Sequence, residues 1–168
     1  MAARPAPAYD REVQASAFDE RTFFQAIAGS GARALLIGRR ALIALGLPVM
    51  TRDYDFWIHA DDAALFNAAL APLELHPTRS PDAARQVGRY VLEGDEHVDV
   101  LVARAVGTID GELVSFDDVW RRREQVVIDG DLPVAIPCID DLVRTKKFAA
   151  RPRDADDIRW LLRLKETP

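Results

Sequence analysis

The chain has 168 residues, of which 49% are apolar and 29% charged, which is enough to bury the core of one domain. Its formal net charge of −5 argues against a general nucleic-acid coat protein, although a local basic patch could still hold RNA. A single cysteine, Cys138, excludes an internal disulfide. No apolar run approaches the roughly 18 residues of a membrane span, and no signal peptide is evident. We therefore expect one cytoplasmic domain over residues 1–168, without a membrane partner.

The chain begins with a segment that predicts no regular structure and continues with a helix. Residues 1–15 are rich in alanine and proline, and we expect them to be flexible. Asp19 is typical of a helix N-cap, and Phe18 and Phe23 are spaced as a hydrophobic staple around it. The glycines of residues 29–31 are expected to end this helix.

A strand, a turn, a short helix and a second strand are predicted next. The apolar run 34–37 predicts a buried strand, and Gly38 follows it as a turn. Residues 41–45 predict a short helix, which Pro48 prevents from continuing. The second strand is predicted to reach Ile58.

Two aspartates lie two residues apart on this second strand, which is otherwise heavily apolar. Strand side chains alternate between faces, so Asp53 and Asp55 share a face with Trp57, and their carboxylates stand roughly 6–7 Å apart. Two acids at this spacing repel each other, and a hard cation such as Mg²⁺, which prefers carboxylate oxygens, removes the repulsion. The pair therefore indicates a metal site, with a solvated strand edge as the alternative.

The middle of the chain predicts a helix and then a hairpin. The helix is expected to start at residue 61 or 62 and to stop before Pro72. Residues 86–93 and 97–103 have strand character on either side of a short polar turn. Asp99 lies on the second of these strands between valines, and it is a third acid on an apolar strand.

The C-terminal third predicts a further hairpin, over residues 125–136, and then a pair of helices within residues 138–168. The first helix is expected to begin near Asp140 and to bury residues 148–149. The second is expected to begin at Asp154, after a break at the preceding Arg-Pro-Arg sequence.

The order of these elements resembles the nucleotidyltransferase superfamily in its minimal bacterial form. Its pattern is a strand, a glycine turn, a helix, a strand with two acids and a third acid on a later strand. Residues 51–55, TRDYD, resemble the Thr-x-Asp-x-Asp form of these proteins. Residues 146–158 resemble the Lys…Arg-x-x-Asp-x-x-Asp segment of the AbiEii-like toxin nucleotidyltransferases. The likeness covers about residues 34–162.

The resemblance implies a fold and an activity. The expected fold is α+β, with a mixed β-sheet flanked by helices and a C-terminal helical pair. The expected activity is Mg²⁺-dependent transfer of a nucleoside monophosphate from a nucleoside triphosphate such as ATP, with two metal ions. The acceptor would be an RNA such as tRNA, a protein or a small molecule. A toxin of this kind would have an antitoxin protein as partner.

The resemblance also assigns roles to individual residues. The implied catalytic and metal-binding residues are Asp53, Asp55 and Asp99. The implied nucleotide-binding residues are Gly38, Arg39, Thr51 and Lys146, with Arg151 and Asp154 in supporting roles.

Arg39 departs from the family pattern, in which a small residue follows the glycine. Its side chain could obstruct the approach of the nucleotide phosphates to the backbone, or its guanidinium could contact a phosphate directly. Arg39 motivates one alternative to the toxin hypothesis, a catalytically degenerate nucleotidyltransferase-like binding module. A further alternative is an antibiotic-modifying nucleotidyltransferase, which would share the metal site and differ only in its acceptor.

Overall fold

The computed structural model describes residues 18–149 and 151–167, so the predicted flexibility of residues 1–15 lies outside the described residues. The helices are α1 (Glu20–Gly29), α2 (Gly38–Ala44), α3 (Ala63–Leu70), α4 (Pro81–Val87), α5 (Phe116–Arg121), α6 (Ile139–Lys146) and α7 (Pro152–Glu166). The strands are β1 (Ala34–Ile37), β2 (Tyr54–Ile58), β3 (His76–Pro77), β4 (Arg89–Glu93), β5 (His97–Leu101), β6 (Ala105–Gly107), β7 (Leu113–Ser115), β8 (Glu124–Ile128) and β9 (Leu132–Ile136). Two short 3-10 turns, Ala60–Asp62 and Ala71–Leu73, flank α3.

A mixed sheet of five strands, in the order β1-β2-β5-β4-β3, lies at the centre of the fold. β2 and β5 run parallel, whereas the other neighbouring strands of this sheet are antiparallel. Two separate hairpins, β6–β7 and β8–β9, complete the strands of the described residues. The predicted α+β class, with a mixed sheet flanked by helices, is confirmed.

The alternation of side chains along β2 supplies both faces of the sheet. Tyr54, Phe56 and Ile58 are buried in the larger core, together with the apolar faces of α1 and α3. Trp57 points to the opposite face and is buried in a second apolar cluster that includes Phe116 of α5. Because both faces are packed, β2 is fixed in position, and the side chains at its N-terminal end are presented by a rigid element.

The start of α1 follows the prediction. The side chain of Asp19 caps the helix by accepting a hydrogen bond from the backbone N–H of Arg21, at 3.1 Å. The rings of Phe18 and Phe23 lie 5.3 Å apart between their centres, which is the predicted staple.

The region before β4 differs from the prediction, since residues 86–87 belong to a helix and the strand begins only at Arg89. The Ser80 hydroxyl caps α4 by accepting from the backbone N–H of Ala83, and Pro81 occupies the first helical position. Gly88, with φ of +87°, ends the helix. These capping signals outweigh the strand character of the sequence.

The helix starts also differ from the prediction. α2 begins at Gly38 instead of residue 41, because a positive φ of +67° at this glycine turns the chain directly from β1 into the helix. α7 begins at Pro152 instead of Asp154, since proline suits the first helical position. α6 ends at Lys146, which leaves Ala149 exposed, whereas Phe148 packs against the second cluster. Within the described residues, no helix combines the length and the apolar character that crossing a bilayer requires.

Candidate active site

Asp55 of β2 and Asp99 of β5 are direct partners in the parallel ladder, one residue pair before Phe56 and Val100. Their side chains therefore emerge from the same face of the sheet, beside each other. Asp55 is partly buried, whereas the side chain of Asp99 is 53% exposed. Burial raises the pKa of Asp55 to about 6, with further contributions from the charges of Asp99 and Asp53. The three acids thus lie within one electrostatic environment.

Gly38 stands directly against the carboxylate of Asp55. A Cβ atom placed on this glycine would lie 2.3 Å from Oδ2 of Asp55, which is closer than any non-bonded contact allows. Ile37, the residue before it, pairs with Asp55 across β1 and β2, and this register produces the close approach. Glycine is therefore required here by both its positive φ and the space that Asp55 occupies.

The chain turns into β2 through a short hydrogen-bonded segment. The backbone N–H of Asp53 donates to the hydroxyl of Thr51, at 3.1 Å. The Nε of Arg40 donates to the carbonyl of Asp53, and its guanidinium stacks 4.1 Å from the ring centre of Tyr54. Arg40 also donates to Glu20 of α1, at 2.8 Å. Thr51 and Arg40 therefore fix the backbone that carries Asp53.

Lys146, the last residue of α6, is only 5% exposed. Its amino group donates to Oδ2 of Asp157 at 2.8 Å and lies 4.0 Å from Oδ1 of Asp154. The positive charge of Lys146 opposes the rise in the pKa of Asp55. The predicted nucleotide-binding lysine is therefore buried, and it acts electrostatically on the acid cluster.

The carboxylate of Asp157 in α7 is completely buried and pairs with two basic side chains. Besides Lys146, it accepts from Nε of Arg39 at 3.2 Å, and its Oδ1 lies 3.1 Å from the same guanidinium without hydrogen-bond geometry. Burial raises the pKa of Asp157, but the hydrogen bonds from Arg39 and Lys146 outweigh it and hold this pKa below the ordinary value. Arg39 also donates to the carbonyl of Met50 and is thus tied to α7 and the α2–β2 loop.

Arg151 and Asp154 form a second pair at the start of α7. Nε and an Nη nitrogen of Arg151 donate to the two carboxylate oxygens of Asp154, at 3.0 and 3.3 Å. Asp154 is buried, whereas the side chain of Arg151 is about half exposed. The charge of Arg151 also opposes the rise in the pKa of Asp55.

The acids suit a divalent cation by donor type and charge. Burial is the main cause of the raised pKa of Asp55, and the charges of Asp99 and Asp53 raise it further. A hard cation that takes carboxylate oxygens would relieve both effects. Among the described residues, no three His, Cys, Asp or Glu side chains already stand where they could hold one ion together. Asp53 and Asp99 are exposed, so their side chains are free to rotate toward Asp55.

Two residues near the acids had no role in the sequence analysis. Asp157 is the last acid of the Lys…Arg-x-x-Asp-x-x-Asp segment, which was a signal for it, but its spacing is also that of a first-turn helix residue. Its burial against two basic side chains could not be predicted from this spacing. His97 lies two residues before Asp99 on the same face of β5, with Nε2 3.6 Å from Oδ2 of Asp99. The two-residue spacing of His97 and Asp99 along a strand could have indicated that His97 lies beside the acids, once β5 was known to pair with β2.

The fold is similar to that of solved nucleotidyltransferases. The solution structure of the antibiotic-resistance factor ANT(2'')-Ia superposes with a TM-score of 0.60 at 13% identity, covering 85% of this chain and 80% of that one. The crystal structure of ANT(2'')-Ia in complex with adenylyl-2''-tobramycin gives 0.58 at 15% identity, covering 85% of each chain. A candidate nucleotidyltransferase from Thermotoga maritima gives 0.59 at 14% identity, covering 85% of this chain and 89% of that one.

No protein-family model matches the chain, and no curated protein does. The similarity to solved structures nevertheless extends over most of both chains, and the mixed sheet with flanking helices accounts for it. This chain therefore has the fold of the nucleotidyltransferases.

Proposed function

We propose that the protein is a Mg²⁺-dependent nucleotidyltransferase that moves a nucleoside monophosphate from a nucleoside triphosphate onto an acceptor hydroxyl. The observation that carries the proposal is the pairing of Asp55 with Asp99 on adjacent parallel strands, beside Gly38 and within the field of Lys146. Carboxylates forced together on a rigid sheet are costly for folding, and such costs are expected at functional sites.

Asp53, Asp55 and Asp99 would hold the magnesium ions. Bound magnesium would screen the charge of the triphosphate and of the leaving pyrophosphate. In the reaction the acceptor oxygen bonds to the α-phosphorus, the bond from that phosphorus to the bridging oxygen breaks, and pyrophosphate leaves. Asp99, the more exposed of the two paired acids, takes up the acceptor proton, and Lys146 meets the charge of the phosphates.

The proposal is tested by incubating the protein with each α-labelled nucleoside triphosphate, Mg²⁺ and a cell lysate, and measuring label transferred to RNA, protein or small molecules. The double variant Asp53→Asn plus Asp55→Asn should lose transfer at least a hundredfold. A matched control removes two charges at the same spacing from the β8–β9 turn, Asp129→Asn plus Asp131→Asn, whose carboxylates are exposed. Equal transfer by both double variants, or none by the unaltered protein, would refute the proposal.

A small-molecule acceptor is the second candidate for the same chemistry, favoured by the fold similarity to ANT(2'')-Ia, one structure of which contains adenylyl-2''-tobramycin. Adenylylation of tobramycin by the purified protein, and resistance of expressing cells, would support it.

An RNA or protein acceptor, and a toxin role with an antitoxin partner, would instead be supported by growth arrest on induction. That arrest should disappear in the Asp53→Asn plus Asp55→Asn variant.

A further inference from the structure

A groove of about 440 Å³ lies between α7 and the loop that joins α2 to β2. Its walls combine guanidinium groups with an aromatic ring, since Arg159, Trp160 and Arg163 of α7 face Arg39 and the loop residue Met50. Met50 is 87% exposed, so the apolar part of this wall is open to solvent. Positive charge beside an accessible aromatic face is the combination by which proteins bind nucleotides without reading their sequence.

The charge of the groove favours an anion. Three arginines, Arg39, Arg159 and Arg163, and two aspartates, Asp156 and Asp157, line it, so its formal charge is +1 on a chain of −5. Asp157 is buried and Asp156 pairs with Arg159. Within residues 18–149 and 151–167, no carboxylate forms an ion pair with Arg163, which leaves its charge available to a ligand.

The aromatic ring of the groove, Trp160, is stacked less tightly by an arginine than the ring of Trp120 is. The guanidinium carbon of Arg163 lies 5.6 Å from the ring centre of Trp160. By comparison, the guanidinium carbon of Arg123 lies 3.9 Å from the ring centre of Trp120 and covers that face of the ring. Arg163 is therefore not tightly stacked on Trp160, and a shift of this exposed side chain would open the ring face to a planar group.

The groove adjoins the candidate active site through two residues. Arg39 follows Gly38, which touches the carboxylate of Asp55, and it also lines the groove. Asp157 lines the groove and binds Lys146, whose charge acts on Asp55. The groove and the acids therefore have Arg39 as a common neighbour and are linked through the ion pair of Asp157 with Lys146.

We propose that this groove holds the base of the nucleoside triphosphate, stacked on Trp160 and flanked by Arg163, while the phosphates pass Arg39 toward Asp55. The inference rests on the proposed function and deepens it by assigning the nucleotide subsite. Stacking on an aromatic ring accepts every base, so the subsite favours nucleotides over inorganic polyphosphate without selecting one base strongly.

The test is calorimetric titration of the full chain with ATP and, separately, with inorganic tripolyphosphate, each with Mg²⁺ and no acceptor. Trp160→Ala should weaken ATP binding about tenfold and leave tripolyphosphate binding unchanged, whereas Trp160→Phe should restore ATP binding to within about threefold. Trp120→Ala is the matched control and should bind ATP as the unaltered protein does. ATP should also quench tryptophan fluorescence in the unaltered protein but not in Trp160→Phe.

Unchanged ATP affinity in Trp160→Ala would overturn the assignment, and so would equal losses for ATP and tripolyphosphate, since the groove would then hold phosphates. Circular dichroism shows whether Trp160→Ala folds. If it does not, Arg163→Gln replaces it as the test, because Arg163 is exposed and its substitution should leave the fold intact. We expect Arg163→Gln to bind ATP about threefold more weakly. If these variants still transfer nucleotides and bind ATP with unaltered affinity, the subsite assignment is refuted but the proposed function is not. Absence of ATP binding by the unaltered protein refutes both proposals.

Discussion

Asp55 lies directly opposite Asp99 across the parallel strands β2 and β5, so two carboxylates stand beside each other on one face of a packed sheet. The strands cannot separate to relieve the repulsion, because Phe56 and Trp57 anchor β2 in the two apolar clusters. Burial, together with the charges of Asp99 and Asp53, raises the pKa of Asp55 to about 6. The folded chain thus carries an unfavourable charge pair that a bound cation would relieve.

The first prediction concerns the stability cost of this pair. Because the pKa of Asp55 is raised from 3.8 to about 6, its contribution favours folding below pH 4 and is lost as the pH rises through 6. Asp55→Asn should therefore raise the free energy of unfolding at pH 7 without metal by about 1–3 kcal/mol. Urea unfolding in the presence of a chelator at pH 5 and pH 7 measures this.

Magnesium should reverse the ranking of these two proteins. It should stabilise the unaltered chain through the charged carboxylates and have little effect on Asp55→Asn. An unaltered chain that is equally stable with and without magnesium at pH 7 would contradict the metal assignment.

The second prediction concerns Gly38. Gly38→Ala should destabilise the protein by about 2 kcal/mol or more, because the new methyl group collides with Asp55 in addition to adopting an unfavourable φ. Gly31→Ala is the matched control, since Gly31 has a similar φ of +74° but no atom within 4 Å of an added Cβ. Thermal melts of both variants separate the collision from the backbone strain. Equal losses in the two variants would show that Asp55 does not approach Gly38 in solution.

The sequence predicted those parts of the fold that local patterns determine. Alternation along β2 predicted that Trp57 lies on one face with Asp55, and Trp57 is indeed buried on the face opposite the larger core. The staple around Asp19 located the start of α1. Strand character at residues 86–87 gave a wrong prediction, because the Ser80 cap and Gly88 impose a helix there. Capping signals at both ends of a short segment therefore deserve more weight than its propensity for strands.

The long-range contacts of the candidate site could not be predicted in the same way. The pairing of Asp55 with Asp99 depends on which strand lies beside β2, and one sequence does not specify strand order. The burial of Asp157 depends on the packing of α7 against α2 and α6, which brings Arg39 and Lys146 to the same carboxylate. An acidic residue in the first turns of a helix is usually exposed, so the sequence favoured an exposed Asp157.

The third prediction concerns Asp157. Asp157→Asn removes the buried negative charge to which both Lys146 and Arg39 donate hydrogen bonds. We expect a loss of about 3 kcal/mol in the free energy of unfolding. Asp156→Asn, one residue earlier, breaks an exposed pair with Arg159 and should cost less than about 1 kcal/mol.

The pH dependence provides a second measurement on the same residue. The pKa of Asp157 lies below its ordinary value of 3.8, so its stabilising contribution is present above pH 4 and is lost as the pH falls further. The difference between the unaltered protein and Asp157→Asn should therefore shrink on acidification. A difference that stays constant from pH 7 to pH 3 would mean that Asp157 is not ionised in the folded protein.

The fourth prediction separates the two adjacent lysines at the end of α6. Lys146 is buried between Asp157 and Asp154, near Asp55, whereas Lys147 makes a surface pair with Asp110 at 2.9 Å. Lys146→Gln should weaken ATP binding roughly tenfold or more, because a charge-assisted contact to phosphate is lost, and should raise the pKa of Asp55 further. Lys147→Gln should change ATP affinity less than twofold.

Calorimetric titration with ATP and Mg²⁺ measures both variants of this pair, and the pKa of Asp55 can be followed by carboxyl carbon NMR in the metal-free protein. The two readouts distinguish the roles that a buried lysine can have. A purely structural Lys146 would leave the ATP affinity of the folded variant unchanged while the thermal midpoint falls. A phosphate-binding Lys146 would lower the affinity even at temperatures well below that midpoint, where both variants are fully folded. Equal ATP affinity for Lys146→Gln and Lys147→Gln would therefore remove Lys146 from the nucleotide site and leave it only the task of neutralising Asp157.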